Sequence, residues 1–166
     1  MTTNSSSTAL VIRPSLVTGL FTRTKIDGAS NTATAVAGVQ VRVLIGGKVV
    51  APGTPAGSVA GAGDGWVFYD KRYQYLASNL FGQIETCALN PTLCYIELVL
   101  STLGAHSLDF VVGDVGGATH DVKVEWRLTP TTANANEAAC VGPGVLTVQQ
   151  VKTFSQSGGI VITLDN

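Results

Sequence analysis

The chain has 166 residues, which suits one domain able to bury a sizeable core without a structural metal. Only 13 % of the residues are charged and the net charge is −1, with Lys and Arg scattered, so we do not expect nucleic acid as a partner. The mean hydropathy of +0.31 is high for a free-standing monomer, although the apolar runs are too short to span a membrane. Either the surface is rich in neutral small residues, or much of it is buried against copies of the same chain; we favour the second.

The N-terminal residues predict an extended arm. Met1–Thr8 is polar and uncharged, unlike a signal peptide, and the apolar Ala9–Ile12 is followed by Arg13-Pro14. Because Pro lacks the N–H that a central strand needs, we expect an edge strand or an arm laid on another sheet edge. We therefore divide the chain into an arm, 1–17, which is a possible donated strand, and one β-sandwich domain, 18–166. The apolar side chains of the arm are Leu10, Val11, Ile12, Leu16 and Val17.

Strand and turn signals follow the arm. Gly19–Lys25 is a predicted strand, and Val39–Ile45 alternates apolar and other residues as a strand does. Gly46-Gly47 predicts a two-residue hairpin into Lys48–Val50. The Gly- and Pro-rich stretch Ala51–Gly65 is then a long loop, either a flexible surface loop or one that contacts a ligand or subunit.

The stretch Trp66–Tyr75 is dense in aromatic residues mixed with charged ones. Three interpretations stay open: rings that fill the core, an interface hot spot, or a platform for carbohydrate. The candidate interface or glycan-binding aromatics are Trp66, Tyr69, Tyr73 and Tyr75.

The clearest periodicity lies in Tyr95–Leu128, which predicts three successive strands. In its last third, Thr119–Leu128, apolar residues alternate with charged ones, which is typical of a half-buried antiparallel strand. The first third, Tyr95–Leu103, is apolar on both faces, with Gly104-Ala105 as the turn out of it. Such a strand lies at the centre of a sheet or has its second face covered by something else.

The C-terminal part predicts a loop at Thr129–Ala139 and a sharp turn at Gly142-Pro143-Gly144. In the strand Val145–Phe154 the alternation slips, and a β-bulge near Gln149-Gln150 would restore its phase. The closing strand is Ile160–Leu164. Nine or ten strands of ordinary length, without a clear amphipathic helix, predict an antiparallel sandwich or barrel.

The chain has three cysteines, Cys87, Cys94 and Cys140. The Asn-Pro turn between Cys87 and Cys94 favours a disulfide, which would imply an oxidising compartment, although three ordinary thiols in a reducing cell are the alternative. Cys140 is then either a free buried thiol or a bridge to another subunit. The spacing does not fit a zinc site.

No catalytic or cofactor-binding motif is present in the sequence. His106 and His120 fall at the ends of neighbouring predicted strands, and His120 and Asp121 point to opposite faces of their strand, so a His–Asp dyad is not expected there. No nucleophile elbow surrounds Ser107, and no phosphate-binding or dinucleotide-binding loop occurs. We expect neither enzymatic activity nor a cofactor or metal.

The residues Gly104–Phe110 and Gly117–Val124 together resemble a hairpin of jelly-roll domains, and Gly144–Val151 resembles their closing strand without its Arg. Such domains occur in bacterial and phage appendages and, more distantly, in TNF/C1q-like trimers. The resemblance covers about a quarter of the chain and implies an all-β, antiparallel, jelly-roll-like β-sandwich that self-associates, here with an extended N-terminal arm.

Three functions are then open. We favour a structural, self-assembling subunit of an extracellular filament or appendage, joined by donation of the strand Thr8–Val17 to a neighbour. A virion capsid or fibre protein would show nearly the same features. A carbohydrate-binding or adhesive module would use Trp66–Tyr75 and a glycan partner. The location expected is extracellular, on the cell surface, or in a virion.

Overall fold

The computed structural model describes residues 8–27, 32–50, 64–77, 80–113, 115–129, 136–156 and 159–162. The predicted tail at 1–7, most of the predicted loop at 51–63, and the residues at 130–135 lie outside this part of the chain. The described residues form two antiparallel sheets packed against each other. The prediction of an all-β sandwich is therefore confirmed.

Strands dominate the described chain. In order they are β1 (Thr8–Asp27), β2 (Thr32–Ile45), β3 (Lys48–Val50), β4 (Val67–Ala77), β5 (Tyr95–Ser107), β6 (Phe110–Val112), β7 (Val122–Leu128), β8 (Asn136–Gln156) and β9 (Gly159–Ile162). Between β4 and β5 lie a short helix, α1 (Glu85–Leu89), and two 3₁₀ turns, Leu80–Gln83 and Pro91–Leu93.

The two sheets share the core. The first sheet has the order β5-β1-β8-β9, with β6 also paired to β1; the second has the order β3-β2-β4, with β7 also paired to β2. The main apolar cluster joins the N-terminal half of β1 and β6 to β2. Its buried residues are Leu10, Ile12, Val41, Val43, Val50, Tyr69, Phe110, Val112 and Val115.

Strand β1 corrects the prediction for the N-terminal segment. The two predicted pieces, Ala9–Ile12 and Gly19–Lys25, are parts of one strand of 20 residues that passes through Pro14. This strand lies at the centre of its sheet, between β8 on one side and β5 with β6 on the other. The expectation of an edge strand or an arm on another edge is thus wrong for the described residues.

Pro14 is tolerated in this central strand because the hydrogen-bond ladder is interrupted on the side where Pro14 has no N–H to donate. The C=O of Pro14 accepts the N–H of Leu108, so its backbone groups point towards β5 and β6 and not towards β8. The pairing lapses at this point, yet Ser15 lies opposite Ser107 and Ile12 opposite Phe110, so the register is unshifted. A proline therefore interrupts the ladder without ending the strand.

The hydroxyl of Tyr69, which belongs to the second sheet, forms hydrogen bonds at this interruption of the ladder. It accepts the N–H of Leu16 at 2.8 Å and lies within hydrogen-bond distance of the C=O groups of Pro14, at 3.1 Å, and His106. Burial raises the pKa of the Tyr69 phenol, which keeps the proton needed for donation. Tyr69 thus connects β4 to both β1 and β5.

A polar layer joins the C-terminal half of β1 to β4. Thr18 donates to Asp70 at 2.6 Å, Thr22 donates to the amide oxygen of Gln74, and the amide nitrogen of Gln74 donates to Thr24. The three threonines are buried. No buried polar side-chain atom lacks a hydrogen-bond partner among the described residues, so the layer carries no desolvation penalty from unpaired groups.

The hairpin at Gly46-Gly47 is confirmed. Val43 lies opposite Val50 and Ile45 opposite Lys48. Both glycines have positive φ, 55° and 78°, as a tight two-residue turn between twisted strands requires.

The central stretch forms three strands, as predicted, but their arrangement differs. Strand β5 continues through Gly104-Ala105, so the predicted turn there is wrong. Among the described strands it pairs with β1 alone, so within this part of the chain it lies at an edge and not at the centre of a sheet. The chain then crosses from β6 in the first sheet to β7 in the second, which pairs with β2.

Strand β8 corrects the C-terminal prediction. It begins at Asn136, inside the predicted loop, and runs through Gly142-Pro143-Gly144, which is not a turn. The register shift lies at this point, opposite Leu16 and Thr18, and none occurs at Gln149-Gln150. A bulge that absorbs Pro143 lets a strand of 21 residues continue beside β1.

The predicted disulfide is present. Cys87 of α1 and Cys94 are bonded, with Cα atoms 5.5 Å apart, and the bridge contributes about 2–3 kcal/mol by closing a short loop. Cys87 packs with Ile26 and Phe81 in a small cluster at the end of β1. The helical insertion therefore closes one end of the sandwich.

Replacing Tyr69 with Phe is expected to lower the free energy of unfolding by about 1–3 kcal/mol, because the buried N–H of Leu16 loses its acceptor. Chemical denaturation followed by tryptophan fluorescence measures the change. Tyr73→Phe removes the hydroxyl of an exposed ring and is the control, with an expected change within about 0.5 kcal/mol. Equal effects of the two substitutions would contradict the bridging role of Tyr69.

Candidate assembly interface

Strand β5 is a long, exposed sheet edge. Its 13 residues pair with β1 without a register shift, and no described strand pairs with its other side. It contains one charged residue, Glu97, and neither Lys nor Pro. Natural sheets usually protect an edge with charges, prolines or bulges, and β5 has none of these except that one carboxylate.

The direction of the free backbone groups follows from the ladder. Leu108 donates to Pro14 of β1, so the even-numbered residues of this continuous register turn their N–H and C=O groups towards β1. The odd-numbered residues, including Val99, Ser101 and Leu103, turn theirs to the open side. These groups are available to another strand.

The side chains of β5 are exposed on both faces of the sheet. Val99 and Leu103 lie on the outer face with 50 % and 76 % of their surface exposed. On the inner face, Leu98 and Leu100 are also exposed in part. The sequence shows that both faces of β5 are apolar, and in the structure this strand lies at an exposed edge of the first sheet.

The outer face of the first sheet extends this apolar surface. Leu103, Gly19 and Cys140 lie side by side across β5, β1 and β8. A Cβ at Gly19 would lie only 2.6 Å from the Cys140 sulfur, so a glycine is needed for the thiol to lie over β1. Phe21, half-buried, and Val145, exposed, lie on the same face.

Charged groups border this surface at its two ends. Arg13 pairs with Asp109 at one end, and Arg23 pairs with Glu97 at the other. The hydrogen bond from Arg13 holds the pKa of Asp109 below its ordinary value, so the pair is ionised at neutral pH. An apolar centre with a polar border is the usual anatomy of a protein interface.

The outer face of the second sheet differs sharply, since it carries a network of charges. Arg42 and Lys123 both contact Glu125, each at 2.7 Å. The guanidinium groups of Arg42 and Arg127 lie 4.6 and 4.4 Å from the centre of the Trp66 ring. These charges lie over β2 and β7, whereas Phe68, Tyr73 and Tyr75 of β4 are exposed aromatic side chains of the same sheet.

The structure separates the predicted aromatic site. Tyr69 is buried at the junction of the sheets, Trp66 is enclosed by two arginines, and only Tyr73 and Tyr75 project outward together from β4. No single aromatic platform results from these four side chains.

The predicted arm residues lie within β1. Leu10 and Ile12 are fully buried in the main core, whereas Val11, Leu16 and Val17 are partly buried. All five have partners in their own sheet. Cys140 is free and exposed, so the predicted alternative of a buried thiol is wrong.

The sequence analysis missed one polar cluster. His106 Nε2 lies 3.3 Å from Asp70 Oδ2, and the same oxygen accepts from Thr18. The two residues belong to different sheets, so no sequence signal joins them. The cluster joins β5 to β4 and, through Thr18, to β1.

A cleft of about 280 Å³ lies where β2 meets the start of β8. Glu137 accepts the N–H of Val36, which pairs with Tyr73 of β4 on one side and lies beyond the end of the β7 pairing on the other. The remaining lining is formed mainly by small apolar side chains. The cleft is thus a seam between the sheets, and Glu137 supplies its carboxylate.

Within the described residues, no group of three or more potential metal ligands occurs, and no helix is long and apolar enough to cross a membrane. No protein-family model, curated protein or solved structure matches the chain. The resemblance to jelly-roll appendage subunits therefore stays a prediction.

The charged face generates a pH-dependent prediction. Hydrogen bonds from Lys123 and then Arg42 lower the pKa of Glu125 below its ordinary value of 4.5. A carboxylate with a lowered folded-state pKa contributes stability above its unfolded-state pKa and loses that contribution as the pH falls through the folded-state value. Glu125→Gln is thus expected to lose stability at neutral pH and to flatten the decline below about pH 5.

Urea denaturation at a series of pH values from about 3 to about 7 measures this effect. Glu85→Gln is the control, since Glu85 is exposed on α1 and forms no ion pair in the described chain. An unchanged pH profile for Glu125→Gln would contradict the assigned network.

Proposed function

We propose that this protein is a structural subunit that assembles with copies of itself, as in an extracellular filament, an appendage or a virion shell. The observation that carries the proposal is the unprotected edge of β5, with apolar side chains exposed on both of its faces. Such an edge is a template for pairing with another chain.

A second surface on the same sheet allows assembly to continue beyond a pair. The outer face around Leu103, Cys140 and Val145 is apolar and does not overlap the backbone groups of the β5 edge. A subunit with two different contact surfaces forms rings, shells or filaments, depending on whether the contacts close.

The mode of assembly differs from the one expected from the sequence. Thr8–Val17 already pairs on both sides within its own sheet, so donating it to a neighbour requires β1 to leave its core. Addition at β5 requires no rearrangement. We therefore place the contact at β5, and we expect a chain lacking Met1–Val17 to lose its fold and not merely its assembly.

The disulfide supports an oxidising location, outside the cell, on its surface or in a virion. The carbohydrate-binding alternative loses support, because the predicted aromatics lie in three different places. We accordingly keep assembly as the function and expect no enzymatic activity.

Leu103→Lys is expected to weaken self-association at least about tenfold, because burial of a leucine contributes about 1.5–3 kcal/mol and 1.4 kcal/mol is a factor of ten. Sedimentation velocity over a range of concentrations measures it, and electron microscopy of the wild type distinguishes filaments from closed shells. Leu89→Lys makes the same change on the exposed surface of α1 and is expected to leave association unchanged.

Two results would overturn the proposal. One is a wild-type chain that stays monomeric at every concentration up to about 1 mM, a range in which even weak specific contacts form. The other is an equal loss of association in Leu89→Lys, which would mean that added charge alone, and not the β5 surface, controls association.

A further inference from the structure

We propose that β5 pairs with β5 of a second copy, antiparallel, about a two-fold axis through Ser101. This inference rests on the proposed function, because it names the partner strand and the symmetry of the contact at the β5 edge. It joins the first sheets of two copies into one continuous sheet.

The backbone of β5 directs hydrogen-bonding groups to the side where this contact forms. The odd-numbered residues direct their N–H and C=O groups to the open side, as the Leu108–Pro14 hydrogen bond establishes. Val99, Ser101 and Leu103 are consecutive members of that set, and all three are exposed. An antiparallel partner satisfies both groups of each hydrogen-bonded residue.

The longer edges among the described strands do not match β5, because each is protected. Strand β7 carries alternating charges, β4 carries three successive charged residues at Asp70–Arg72, and β8 bends at the bulge around Pro143. At the edge of β2 beside the cleft, Glu137 already accepts the N–H of Val36. The remaining edges, those of β3, β6 and β9, span only three or four residues. Among the described edges, the one that matches β5 in length is thus β5 of another copy.

The register follows from length and charge. Pairing centred on Ser101 uses all 13 residues and sets Val99 of each copy opposite Leu103 of the other. It sets Glu97 opposite Ala105, and the two Glu97 residues are then about 26 Å apart along the strands. No like charges therefore face each other, whereas apolar side chains pair across the axis.

The size of the contact is that of a small, weak interface. A standard interface involves about 20–30 residues from each partner. Strand β5 supplies 13, which fits the smaller contacts that are typical of weak or transient association.

Cysteine cross-linking tests the symmetry directly. In full-length chains carrying Cys140→Ser, Ser101→Cys is expected to form a disulfide between copies, because paired residues have Cα atoms about 5.5 Å apart. Ser107→Cys is the matched control on the same strand and face, and it is expected to form none, since the two Ser107 residues lie about 40 Å apart in this register. Mild oxidation and non-reducing electrophoresis give the yields.

The outcomes separate this inference from the proposed function. A cross-link at least about tenfold stronger for Ser101→Cys than for Ser107→Cys supports the two-fold contact. Equal yields, or none from either in a chain that still associates, overturn the two-fold contact and leave the proposed function standing. Chains that remain monomeric in sedimentation overturn both.

Amide hydrogen exchange gives a second test that requires no substitution. On association, the amides of Val99, Ser101 and Leu103 are expected to slow by at least about tenfold, while those of the even-numbered residues, already paired with β1, change little. Unchanged exchange at these three amides in the associated state would contradict the pairing.

Discussion

The backbone groups of β1 face neighbouring strands on two sides along most of its 20 residues, and Pro14 is the residue that cannot donate. The hydroxyl of Tyr69 lies at this position, where it takes the N–H of Leu16 and reaches the C=O of Pro14. A side chain of the second sheet thereby completes the ladder of the first. Together with the hydrogen bonds of Thr18 to Asp70 and of Thr22 to Gln74, this contact ties the two sheets to each other.

In the C-terminal half of β1, the inner face is largely polar and apolar side chains lie on the outer face. From Thr18 onward the inner face is mostly threonine, bonded to Asp70 and Gln74, whereas Val17 and Phe21 lie on the outer face. In this half, directional hydrogen bonds act together with two small apolar clusters around Leu20 and Ile26, whereas the main apolar cluster lies in the other half. Val17 and Phe21 consequently add to the apolar surface on the outer face of the first sheet, although Leu20 and Ile26 remain buried on the inner face.

Local sequence patterns predicted some local features correctly, but they could not predict which distant strands pair. The Gly46-Gly47 hairpin and the Cys87–Cys94 bridge depend on residues close in sequence, and both were predicted. Pro14, Gly104 and Pro143 have the usual signals of strand ends, but each lies inside a long strand whose partners accommodate it. The contacts of Tyr69, Asp70 and His106 join different sheets, and a single sequence contains no signal for them. The candidate interface was visible only as a strand apolar on both faces.

An apolar strand with two exposed faces has two physical outcomes when its chain is concentrated. It pairs in one register, or it pairs in many and aggregates. Sequence features of β5 favour the first outcome: Glu97 near one end and His106 near the other make its two halves unequal, so that a shifted pairing changes which groups face each other. The ion pairs of Arg23 with Glu97 and of Arg13 with Asp109 limit the apolar surface at both ends. In the proposed contact, the open edge accepts a partner strand, and the charged groups at its ends favour one register over shifted ones.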